Sequence, residues 1–131
     1  MNLREMLKDK PEKVKAKVFT KYWGEYNSYE LVFMDGEEMV CSIRLQDDIG
    51  DLNKKVLDSL YTNPDYRNKG YAEAMMTYVD EFVAVIFPDV KELFVHSLSN
   101  NFFKKFGYEF VGYTANKPGQ WNSKFLKKNN D

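Results

Sequence analysis

The chain has little of what marks a specialised scaffold. Its 131 residues hold one cysteine, Cys41, so no internal disulfide can form. The one histidine, His96, leaves too few soft ligands for a structural zinc site of the Cys/His kind, and neither metal nor redox chemistry is expected. No apolar run approaches the roughly 18 residues of a membrane span. Met1-Asn2-Leu3-Arg4-Glu5 has no signal-like apolar core, so the cytoplasm is the expected compartment and no membrane partner is expected. Net charge is nearly missing too. Lys and Arg number 19 against 20 Asp and Glu, and the resulting -1 provides no global positive field to hold nucleic acid. The length excludes two ordinary domains, so residues 1–131 are read as one.

What is present is the composition of a folded protein: 44% hydrophobic, 30% charged and an unusually high 16% aromatic. The near-neutral total hides segregation. Residues 25–53 hold eight acids and one base, whereas the flanking stretches are net positive. An acidic segment of this kind is a set of solvated strand edges and turns, or a surface for a cationic partner.

Leu3 to Lys8 suits a short helix ended by Pro11. From Val14 the period is two: Val14, Ala16, Val18 and Thr20 alternate with Lys13, Lys15, Lys17 and Phe19, which predicts a strand. Ser28–Met34 and Glu37–Leu45 flank Asp35-Gly36, a pair suited to a type I′ hairpin turn. A polar loop over Gln46–Asp51 then leads to a fourth strand near Lys54–Asn63, so the first half reads as an antiparallel meander. After Pro64 the pattern becomes helical. Ala72, Met75, Met76, Val79, Phe82, Val83 and Ile86 recur at spacings of three and four, a core-facing stripe that Phe87-Pro88-Asp89 ends. Lys91–His96 reads as a strand and Ser99–Phe106 as a short helix with Gly107 as its positive-φ cap. Tyr108–Tyr113 and Gln120–Phe125 read as the last strands, and the class is α+β.

Chemistry concentrates between the fourth strand and the long helix, in Leu60-Tyr61-Thr62-Asn63-Pro64-Asp65-Tyr66-Arg67-Asn68-Lys69-Gly70-Tyr71-Ala72. A helix opening just after a strand presents amides and the positive end of its dipole, a combination suited to phosphate. Gly70 and Ala72 lack bulk, and Arg67 and Lys69 add charge.

This segment resembles the acyl-CoA-binding motif of the GNAT superfamily of N-acetyltransferases, [RQ]-x-x-G-x-[GA], which Arg67-Asn68-Lys69-Gly70-Tyr71-Ala72 fits. Phe102-Phe103-Lys104-Lys105-Phe106-Gly107-Tyr108 is similar to the family's short helix with its Phe/Leu-Tyr-x-Lys-x-Gly-Phe/Tyr pattern. The resemblance covers residues 54–114. It implies a mixed, mainly antiparallel sheet flanked by helices, with the fourth and fifth strands splayed, and it lacks the usual two helices between the first strands. It further implies acetyl-CoA as cosubstrate. The pantetheine would lie along the backbone of Leu60, Tyr61 and Thr62, and the pyrophosphate on the amides from Arg67 through Asn68, Lys69, Gly70 and Tyr71 to Ala72. Phe103 would be a further cofactor contact.

The implied reaction is direct acetyl transfer to a primary amine, small molecule or protein, and it makes two proton demands. An amine of pKa about 10.4 must lose a proton, for which Asp58 on the fourth strand or a bound water is the candidate base. The leaving thiolate must gain one. Many members use the short-helix Tyr for this, but Phe103 stands there. Loss of such an acid costs about 10²–10⁴-fold in rate. Tyr61, Tyr66, Ser97, His96 or water are the substitutes, with His96 at the strand end as a candidate proton shuttle. Cys41 has no His near it in sequence to activate it as a nucleophile. Glu37, Glu38, Asp47, Asp48 and Asp51 are expected to border the acceptor side and to favour a cationic amine. The alternative implied by Phe103 and the shortened N-terminal half is a GNAT-fold module that binds acyl-CoA or a protein without turnover.

Overall fold

The computed structural model describes residues 14–23, 26–48, 51–97, 102–117 and 120–128. The short helix expected at Leu3–Lys8 lies outside these residues. β1 (Val14–Trp23), β2 (Tyr26–Asp35), β3 (Glu38–Asp48) and β4 (Asp51–Thr62) form the antiparallel meander. Then follow α1 (Tyr71–Ile86), β5 (Glu92–Ser97), a 3-10 helix at Phe102–Phe106, β6 (Glu109–Lys117) and β7 (Gln120–Lys128). The strands make one sheet in the order β1-β2-β3-β4-β5-β7-β6. Among the described residues only the β4–β5 pair is parallel, and α1 provides the crossover that such a pair requires. Two residues separate β1 from β2, which leaves no room for helices there.

Alternation along the strands sends one set of side chains to α1. Leu31, Phe33, Cys41, Ile43, Leu45, Leu57, Leu93 and Val95 form a core with Tyr71, Ala74, Met75, Met76, Val79 and Val83 of the helix. Met75 and Met76 are fully buried, so they are packing residues. Ile86 departs from the predicted stripe and is 53% exposed. Phe87 takes over that end of the core, with its ring 5.2 Å from Tyr29 and 5.8 Å from Phe82. No described helix is long and apolar enough to cross a membrane.

Two turns differ from the sequence reading. Asp35 pairs with Glu38, so the β2–β3 turn is Gly36-Glu37, one residue later than expected. Gly36 has φ 63 while Glu37 is not among the positive-φ residues. Positive φ at the first central position alone is the pattern of a type II′ turn, which needs one glycine where I′ needs two permissive residues. The predicted loop at Gln46–Asp51 is largely strand, because Asp47 sits opposite Lys55 and accepts a hydrogen bond from its Nζ. Their side chains are only 5% and 7% exposed, and the Asn27 amide donates to the other Asp47 oxygen at 2.9 Å. The described part of the second short helix is 3-10, and Gly107 closes it at φ 90 as predicted.

Candidate active site

The site begins with an irregularity in β4. Arg44 pairs with Asp58 and Ser42 with Tyr61, so Ile43 alone faces both Ser59 and Leu60. This is a β-bulge, and Ser59 holds φ 58, a left-handed conformation unusual for serine. Pairing with β5 ends at Leu57 opposite Val95, although the strands continue to Thr62 and Ser97. The bulge therefore turns β4 away just where the two strands part, and the edge of β4 from Asp58 to Thr62 has no β5 partner. This is the splay that the sequence resemblance implied. Leu60 packs against the core, Thr62 lies 3.5 Å from the Cys41 sulfur on the same side, and Tyr61 is 43% exposed.

After Thr62 the chain makes a 3-10 turn at Pro64–Tyr66, capped by the Asn63 side chain, which accepts from the Asp65 amide at 3.1 Å. Asn68 is left-handed at φ 64 and Gly70 at φ 85, with Lys69 between them outside the positive-φ set. Such alternation turns successive N–H groups to one side. No side chain caps α1 at Gly70. First-turn amides have no partner within a helix, so this N-terminus is suited to an anion. Arg67 folds its Nε onto the Thr62 carbonyl at 3.0 Å, and Lys69 reaches the Asp65 carbonyl at 3.3 Å; both side chains are exposed. Glu73, in the first turn of α1, is paired with Lys105 of the 3-10 helix at 2.8 Å.

The proposed catalytic groups are differently placed. Asp58 accepts two bonds from Arg44, Nε at 2.7 Å and a terminal nitrogen at 2.9 Å, and a third from Gln46 at 3.0 Å. The pair raises the Arg44 pKa, chiefly through the hydrogen bond to Asp58. Asp58 thus sits at the splay with its oxygens already engaged, an arrangement the sequence reading lacked. The His96 and Ser97 side chains lie outside the described residues, while their backbone continues β5 opposite Lys124 and Ser123. Phe103 is 3% exposed, its ring against Phe102 at 5.1 Å and Tyr108 at 6.1 Å, so it belongs to the core. Tyr66 is committed elsewhere. Its hydroxyl donates to Asp35 at 2.9 Å and lies 3.2 Å from Glu38, and the Asp35 bond above all pushes its pKa up, which makes it a poorer proton donor. Burial pushes the Cys41 thiol up as well, contrary to what a nucleophile needs.

The acidic segment is also redistributed. Glu38 accepts from the Asn63 side chain at 3.3 Å, so the turn carrying Glu37 and Glu38 borders the 3-10 turn at Pro64–Tyr66 and not the opposite end of β4. Asp47 is buried with Lys55. Asp48 and Asp51 pair at the β3–β4 end, and their side chains lie outside the described residues. Arg44, Gln46, Ser59 and Asp35 were missed in the sequence. For Arg44 the signal was available, because strand alternation already placed it away from the core.

A family model described as an acetyltransferase (GNAT) domain matches residues 27–110, more than half of the chain. No curated protein matches. Among solved structures, ElaA of Escherichia coli is 15% identical over 92% of this chain and 75% of its own, with a TM-score of 0.67. An acetyltransferase from Thermus thermophilus is 16% identical over 77% of this chain, TM-score 0.59, and the PaiA N-acetyltransferase of Thermoplasma acidophilum, in complex with coenzyme A, is 18% identical over 78%, TM-score 0.60. The chain spans 64% of the Thermus protein and 61% of PaiA, less than two thirds of either. At these identities the likeness is one of fold.

Proposed function

Because this chain belongs to the GNAT family of acetyltransferases, whose chemistry is acyl transfer, we propose that it is an N-acetyltransferase that takes acetyl-CoA as donor and a primary amine as acceptor. One observation carries the reading: the unpaired edge of β4 from Asp58 to Thr62 leads directly into an uncapped helix N-terminus at Gly70. An extended pantetheine pairs with the backbone of Leu60, Tyr61 and Thr62 as an added strand would. The diphosphate rests on the amides from Asn68 to Ala72, since the Arg67 amide donates to the Pro64 carbonyl, with the Arg67 and Lys69 cations beside it. Coenzyme A bound to the PaiA protein supports a CoA site on this fold.

The amine nitrogen attacks the thioester carbonyl directly, forming the C–N bond. The tetrahedral adduct collapses with cleavage of C–S, and the sulfur leaves as thiolate or thiol. Freeing an amine of pKa about 10.4 at neutral pH costs about 5 kcal/mol, so proton removal needs a path. Asp58 or a water beside it is the proposed base, and His96, one residue beyond the last β4–β5 pair, the proposed shuttle. With Phe103 buried and Tyr66 bound to carboxylates, Tyr61, Ser97, His96 or water protonates the sulfur. An unassisted thiolate of pKa about 8.5 costs about 2 kcal/mol, which slows turnover without forbidding it.

Thermal unfolding with millimolar acetyl-CoA tests the donor. A ligand at 100 times its Kd stabilises by about 2.7 kcal/mol, a readily measured rise in midpoint, and no rise would remove the reading. Thiol release against a panel of amines then tests turnover. A second reading, a CoA-binding module without turnover, is favoured by Phe103 and by the engaged oxygens of Asp58; binding without thiol release would select it.

A further inference from the structure

The 3-10 turn at Pro64–Tyr66, which leads into the Arg67–Ala72 loop, is fastened at both ends to the β2–β3 hairpin. At its start, the Asn63 amide bonds to the Val40 carbonyl at 2.8 Å, and its side chain donates to the Met39 carbonyl at 2.9 Å and to Glu38 at 3.3 Å. Three residues later the Tyr66 hydroxyl reaches Asp35 and Glu38, the pair that closes the hairpin. The Tyr66 ring also stands edge-on to Tyr71 at 5.9 Å, and Tyr71 is the buried first residue of α1. One side chain thus spans from the turn to the helix start, immediately before Arg67.

We infer that Tyr66 is a positioning residue for the diphosphate of the donor, with Asp35 and Glu38 as its anchor: the hairpin turn holds the Arg67–Ala72 loop in its anion-binding shape before the ligand arrives. The inference rests on the CoA reading above. A preorganised loop gives up less conformational freedom on binding, so loosening its anchor lowers affinity without removing any ligand contact. Electrostatics alone points the other way. Two carboxylates beside an anion site repel a diphosphate, so their presence there is explained by what they hold.

The opposed signs make the test discriminating. Tyr66→Phe removes only the hydroxyl and is expected to weaken CoA binding about three- to tenfold by titration calorimetry, with the ligand-free unfolding midpoint little changed. Asp35→Asn keeps an acceptor for the phenol and removes a negative charge, and is expected to bind CoA as well as or better than the parent. Reciprocity supplies a second readout: CoA should slow amide exchange in the Asp35–Glu38 turn of the parent and not in Tyr66→Phe. If Tyr66→Phe fails to fold, Asp35→Ala with Glu38→Ala must bind CoA more weakly than Asp35→Asn with Glu38→Gln, which loses the same charge but keeps the acceptors for the phenol. A parent that binds CoA alongside a Tyr66→Phe variant of equal affinity overturns this inference alone. A parent that does not bind CoA overturns the functional reading, and this inference with it.

Discussion

Gly70 and Phe103 show what single positions contribute, one in the loop before α1 and one in the core. Gly70 sits at φ 85 at the mouth of an uncapped helix. The left-handed region costs an ordinary L-residue about 1–2 kcal/mol, and a β-branched one more. Gly70→Val is therefore expected to lower the unfolding midpoint modestly and to abolish the rise caused by acetyl-CoA, because the loop must relax away from the geometry that gathers its amides. A retained ligand shift in this variant would sink the loop assignment. Phe103 stands where the motif resemblance implies a phenol, yet here it is packed against Phe102 and Tyr108. Phe103→Tyr should behave as a core substitution that buries a hydroxyl, losing about 1–3 kcal/mol in urea unfolding with no gain in thiol release. A clear gain in turnover would show that the position still reaches the leaving sulfur. Gly70 stood out in the sequence for its lack of bulk, and the structure adds its left-handed φ of 85. Ser59 did not stand out, since nothing in a serine's identity announces φ 58.

At the scale of elements, the strands and α1 were legible from periodicity and their ends were not. The β2–β3 turn moved by one residue because Gly36 alone meets the conformational demand of a II′ turn, so Asp35 is left to pair across the ladder. The β3–β4 hairpin shows the same limit more sharply. Polarity made Gln46–Asp51 look like loop, whereas a buried ion pair between Asp47 and Lys55 continues the ladder through it. Each residue looks solvated on its own, and only the register makes them partners. Lys55 also lies over the Phe87 ring at 4.6 Å, tying this hairpin to the end of α1. Lys55→Met would leave Asp47 buried without its cation, and is expected to cost about 3–5 kcal/mol. The double variant Asp47→Asn with Lys55→Met keeps an acceptor for the Asn27 amide and should recover much of that loss. If the single variant unfolds at the urea midpoint of the parent, the pair contributes nothing and the hairpin is held by its ladder alone.

Across the whole molecule, a net charge of -1 conceals charges that are sorted into local tasks. Arg67 and Lys69 stand in the loop before α1, Arg44 holds Asp58 at the splay, and Asp35, Glu38 and Asp47 of the acidic stretch are taken up by contacts within the fold. Stability near neutral pH therefore depends little on overall charge, and the clearest pH dependence comes from the tyrosines. Burial raises the pKa of Tyr71, Tyr78 and Tyr108, and hydrogen bonding to Asp35 raises that of Tyr66. All four shifts have the same sign. Unfolded tyrosines ionise around the ordinary value of 10.0 while the folded ones keep their protons, so above that pH the unfolded chain binds fewer protons than the native one. The stabilisation is fully present below pH 10 and is lost as pH climbs beyond it. Tyr108, 2% exposed and with Asp80 adding to its shift, should dominate. A buried tyrosine that does not ionise in the folded state makes stability fall by up to about 1.4 kcal/mol per pH unit. Urea midpoints should be level from pH 8 to pH 9.5 and drop steeply by pH 11, and Tyr108→Phe should flatten that drop. An equal drop in Tyr108→Phe would overturn Tyr108 as the dominant group and leave the alkaline loss to Tyr66, Tyr71 and Tyr78.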